Sequence, residues 1–121
     1  MPNRMRGEVE ARLGGKSYTL CLTLGAIAEL ESALGAPDIL ALAERFEAGR
    51  LSAGDAIRIL GAGLRGGGNA VTDAEVAALP IEGGAVGALH VVGALLKATF
   101  GGEEEPPGNR QAPPAGSTGG A

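Results

Sequence analysis

Residues 20–34, LCLTLGAIAELESAL, restrict the fold of this chain more than any other stretch. Up to Thr23 apolar and polar residues alternate. From there Leu24, Ile27, Leu30 and Leu34 recur at helical spacing, so the apolar period changes from two to about 3.6 within a few residues. A strand is therefore expected to hand directly into a helix. The Thr23 hydroxyl is placed to accept a backbone N–H one turn on as the N-cap, while Glu29 and Glu31 keep the opposite helix face wet. No group in the stretch is equipped for covalent chemistry, so it sets architecture.

Upstream, residues 7–13 (GEVEARL) and 16–22 (KSYTLCL) each alternate, with Val9, Ala11 and Leu13 matched by Tyr18, Leu20 and Leu22. Gly14 and Gly15 between them predict a two-residue hairpin turn, because glycine reaches the positive φ such turns demand. The outer side places Glu8, Glu10 and Arg12 opposite Lys16 and Thr19, a solvated face with charges expected to pair across the strands. A two-stranded hairpin is marginal alone, so it must lie on helices or extend into a partner's sheet.

Downstream, Gly35 stops the first helix, and Pro37-Asp38 start a second with Ile39, Leu42, Ala43 and Phe46 on one face, ended by Gly49. Ser52 with Asp55 three residues on opens a third helix, whose stripe is Ile57, Leu60 and Leu64 and whose end falls near Leu64 or Arg65. The run Gly66-Gly67-Gly68 lacks the Lys-Ser/Thr pair and the preceding strand of a phosphate loop, and reads as a linker. Thr72 and Glu75 form a capping box for a short helix with Val76 and Leu79 inward, ended by Pro80. Residues 82–100 make the longest helix, with Ala85, Val86, Leu89, Val92, Gly93, Leu96 and Phe100 on one broad face and His90 and Lys97 at its edge. Val91 and Leu95 point the other way and are expected to be exposed in a monomer. Apolar residues on two faces imply a helix packed on both sides, which makes Val91 and Leu95 the candidate protein-interaction residues.

From Gly102 the chain is rich in Pro, Gly and acid without a large apolar residue, too little to offset its ordering entropy. The expected organisation is a small domain over residues 1–101 and a disordered tail over 102–121. Its class is α+β, an N-terminal β-hairpin packed with about five short helices. The core must be thin: 45% of the residues are apolar, but only Tyr18, Phe46 and Phe100 are aromatic. A formal charge of −4, with Arg45, Arg50, Arg58 and Arg65 interleaved among acids, argues against nucleic acid as a ligand. The single cysteine, Cys21, reads as a buried strand thiol, allows no intramolecular disulfide and no Cys/His cluster, and suits a reducing cytoplasm. The opening MPNRMRGEVE has charge without an apolar stretch behind it, and no apolar run approaches the ~20 residues of a membrane helix, so neither export nor a membrane is expected. Nothing pairs a nucleophile with a base or spaces metal ligands, and Glu29 and Glu31 diverge on their helix. No catalytic, cofactor or metal site is therefore expected, and a small enzymatic or ligand-binding domain is the disfavoured alternative.

Taken together, GEVEARLGGKSYTLCLTLGAIAELESALG, LALAERFEAGRLSAGDAIRILGAGLRGGG and VTDAEVAAL resemble the small tail protein of alphaproteobacterial gene transfer agents, a family related to phage tail-tube and tail-assembly-chaperone proteins. The likeness covers roughly residues 6 to 101 and rests on the order of the segments, since no single motif is diagnostic. It implies a noncatalytic role in building a phage-like tail. One form of that role is an assembly chaperone for the tape-measure protein, cytoplasmic and displaced when the tube polymerises. The alternative is a structural tail-tube component that stays with the particle. Tube subunits are dominated by strands, and one hairpin with about five helices leans towards the chaperone. Expected partners are the tape-measure protein or other tail proteins, with homo-oligomers open.

Overall fold

The computed structural model of the protein describes residues 7–100; the expected tail lies outside the described residues. Two strands, β1 (Glu8–Leu13) and β2 (Lys16–Cys21), precede five helices: α1 (Leu24–Leu34), α2 (Ile39–Glu47), α3 (Ala53–Gly66), α4 (Asp73–Ala78) and α5 (Gly84–Thr99). The α+β class, the N-terminal hairpin and the five helices are as expected.

The strands pair antiparallel, with Leu13 opposite Lys16 at the closed end and Glu8 opposite Cys21 at the other. Gly14 (φ 61°) and Gly15 (φ 83°) are both left-handed, the combination that matches the twist of the strands. Ala11, Leu13, Leu20 and Leu22 are buried on the inner face, with Val9 and Tyr18 half-buried beside them. The outer face departs from expectation. The register sets Glu10 against Thr19 and Arg12 against Ser17, so charges do not pair across the strands. Arg12 instead lies 3.9 Å from Glu82, in the segment before α5.

Four of the five helices start on a side-chain cap, and α5 follows the left-handed Gly83 without one. Thr23 accepts from the Ala26 N–H, Asp38 from Ala41, Ser52 from Asp55 and Thr72 from Glu75, and the last two are reciprocal capping boxes. Gly35, left-handed at φ 63°, closes α1. The buried stripe of α1 is rotated from the expected one. Ala26 and Leu30 are inside, Ile27 and Leu34 half-buried, and Leu24 is 86% exposed in the first turn. With Leu30 central, Ala26 lies nearer that direction than Leu24, which the helical period puts about 120° away.

The centre of the molecule is α3, which packs against α1, β2, α4 and α5. It is buried over more than the expected Ile57, Leu60 and Leu64 stripe: Ile59 and every residue from Leu60 to Leu64 lie inside, and Ile57 is only half-buried. Small residues make that possible. A Cβ at Gly63 would come within 2.6 Å of Leu95 Cδ2 and 3.3 Å of Leu20 Cδ2, so the glycine is a notch into which strand and helix side chains fit.

The glycine run at 66–68 is no slack linker, because Gly66 and Gly67 press the end of α3 against β2. A Cβ at Gly66 would overlap the Cys21 carbonyl oxygen, and one at Gly67 the Thr19 carbonyl oxygen. Asn69 completes the seal, its side-chain amide donating to the carbonyls of Thr19 (2.9 Å) and Leu64 (3.1 Å). At the hairpin's closed end the Gly14 N–H donates to the Pro80 carbonyl at 2.7 Å, and Leu13 bridges to Ile81. The segment carrying α4 is thus pinned to the hairpin at both ends. By contrast α2 docks sparsely, through buried Leu42, through Phe46 over Gly93, and through an Arg45 guanidinium donating to the Leu34 carbonyl at 3.2 Å.

Candidate functional site

The long helix α5 is apolar nearly all round, and the fold covers only part of it. Val92, Leu95 and Leu96 are buried, Ala88 and Val91 pack against the core, and Val86 (63%), Leu89 (41%) and Phe100 (44%) are exposed. This overturns the expected orientation. Leu95, a candidate interaction residue, is fully buried and Val91 half-buried, whereas Val86 and Leu89 of the expected inner face look outward. The cause lies in α3. Its Gly63 leaves a notch that Leu95 fills against Leu20, and that contact fixes the rotation of α5. A helix with apolar residues on every side does not reveal this, because its own periodicity favours no face.

The outward rotation leaves a groove of about 290 Å³ between the start of α3, the end of α4 and the start of α5. Leu51, Ile57, Val76, Leu79, Ile81 and Leu89 form its walls, filled out by alanines. Of the residues lining it only Ser52 has a polar side chain, and its hydroxyl is occupied as the acceptor of the Asp55 N–H. Val86 and Leu89, one helical turn apart, make an apolar lip, and Leu89 belongs to both lip and groove. A second hollow, between α2 and the end of α5, is bordered by Phe46 and Phe100 but also by Glu47 and Lys97. The first is lined without a charged side chain and is the candidate binding surface of the fold.

One wall of the groove is braced by Arg65. Its guanidinium donates to the Val71 carbonyl (3.0 Å) and to Asp73 Oδ1 (3.1 Å), and its other nitrogen to Glu29, so one side chain ties α3 to α1 and to the start of α4. Burial pulls its pKa down, and the hydrogen bonds and charges of Asp73 and Glu29 more than restore it, leaving the group above its ordinary value. The carboxylate of Glu29 is therefore a structural partner and does not converge with Glu31. His90 is exposed on α5. Among the described residues no three His, Cys, Asp or Glu side chains cluster as metal ligands, and no helix is long and apolar enough to cross a membrane.

The groove was hidden in the sequence because Ile57, Val76, Leu79 and Leu89 read as buried stripes of three separate helices, and Leu51 and Ile81 fall outside every stripe. One signal stood in plain view: no Asp, Glu, Lys or Arg occurs from residue 83 through 96. The first three turns of α5 therefore carry no charged side chain, and Lys97 in its last turn is the first. Residues 6–102 match a family described as phage tail tube protein, GTA-gp10. No curated protein and no solved structure matches the chain.

Proposed function

The chain belongs to the GTA-gp10 family of phage tail tube proteins, and on that premise we propose that it is a noncatalytic component of the phage-like tail of a gene transfer agent. It works by holding other tail proteins and transforms no substrate. The observation that supports this reading within the fold is the groove lined without a charged side chain, with its exposed apolar lip. Purified particles test it. Retention of the protein through particle purification, at a fixed ratio to the other tail proteins, is expected. A protein abundant in lysate and absent from finished particles overturns the structural role.

That second outcome is the signature of the other reading, an assembly chaperone that coats apolar helices of the tape-measure protein until tube polymerisation displaces it. What favours it is the scarcity of strand. Among the described residues the sheet is a single hairpin, while tube subunits close rings through extended sheets. In this reading the protein is cytoplasmic and transient, and it co-purifies with the tape-measure protein before the tail is complete.

A further inference from the structure

We propose that the groove and lip bind a second copy of this chain, forming a two-fold pair in which Val86 and Leu89 of each copy enter the groove of the other. The inference rests on the protein-contact role proposed above and names the first occupant of that surface. Three observations select a second copy over a partner helix. The lip borders the groove on the same surface, so a two-fold axis beside α5 seats both lips at once; a patch that is both convex and concave is what isologous contact requires. The groove, at about 290 Å³, sits at the small end of binding cavities and suits a two-residue lip better than an amphipathic helix with anchors spread over several turns. The chain carries a net charge of −4, so copies repel through most of their surface, whereas residues 83–96 contain no Asp, Glu, Lys or Arg, and the α5 side of the contact brings no like charges together.

The surface is smaller than the ~800 Å² per partner of a standard stable interface, so the pair is weak and exchanges readily. A tail is polar, with its subunits pointing one way, and a two-fold pair has no direction. The pair is therefore the unassembled form, which covers the apolar face until a tail neighbour takes the same place.

Sedimentation equilibrium on the full chain tests this. The wild type is expected to pass from monomer to dimer, and no further, as concentration rises through the micromolar range. Leu89→Glu and, separately, Val86→Glu are each expected to raise the dissociation constant at least about tenfold, with unfolding midpoints held close to wild type because both sites are exposed in the monomer. Leu24→Glu, at an apolar site more exposed than either and in a different helix, is expected to leave dimerisation unchanged. A wild type that stays monomeric into the high micromolar range overturns the proposal, as does dimerisation indifferent to both lip variants or abolished by Leu24→Glu. The particle test is separate. A monomeric protein retained in tails would sink the pair and keep the tail role, and a lip-dependent dimer absent from particles would do the reverse.

Discussion

At the scale of single residues the fold is decided by where side chains are missing. Leu95 sits fully buried over the Gly63 notch, in contact with α3 and near Leu20 of the hairpin. Leu95→Ala is expected to destabilise the domain by about 2 to 5 kcal/mol, read from the urea midpoint, because the neighbours that grip it can collapse only in part. Near-neutral behaviour would return Leu95 to the surface. The glycines give a sharper comparison. Alanine at Gly63 gains about 1 kcal/mol of helix propensity and meets the movable end of Leu95, so a net loss of about 1 to 2 kcal/mol is expected. Alanine at Gly66 meets the Cys21 backbone carbonyl, which cannot swing aside, and the loss should reach about 3 kcal/mol or prevent folding. The reverse order of these two variants would mean that β2 yields more readily than α5.

At the scale of elements, α4 depends on its reciprocal cap and on Val76, since six residues cannot hold a helix alone. Thr72→Ala is expected to cost about 1 kcal/mol, seen as a lowered thermal midpoint, and to loosen one wall of the groove. Elements of this kind were legible in the sequence because their signals are local. Thr23, Asp38, Ser52 and Thr72 stand at their helix starts, Gly35 closes α1, and Gly14-Gly15 forms the hairpin turn. What the sequence concealed was which side of each helix faces in. An amphipathic helix reports its own orientation, whereas α5 has only His90 and Lys97 to mark a polar edge, and its rotation depends on a glycine about thirty residues earlier in α3. The same non-local dependence hid the role of Gly66 and Gly67. A run of glycines looks slack until the strand carbonyls pressed against it are known.

At the scale of the whole molecule, the core is a leucine-rich cluster centred on α3, built without a single fully buried aromatic. Residues 103–121 contain nothing such a core could use, and their deletion is expected to leave the thermal midpoint within a few degrees of the intact chain. A larger drop would assign the segment to the domain. The uneven tethering of the helices has a kinetic consequence. Helix α2 lies between Gly35 (φ 63°) and Gly49 (φ 70°), neither of which would meet a neighbour if it carried a Cβ, and it touches the rest of the protein sparsely. Its amide hydrogens should exchange with solvent deuterium as one cooperative group, by an opening far cheaper than global unfolding and insensitive to low denaturant. The amides of α3 should be the last to exchange, so that two neighbouring helices in one small domain keep time on clocks several orders of magnitude apart.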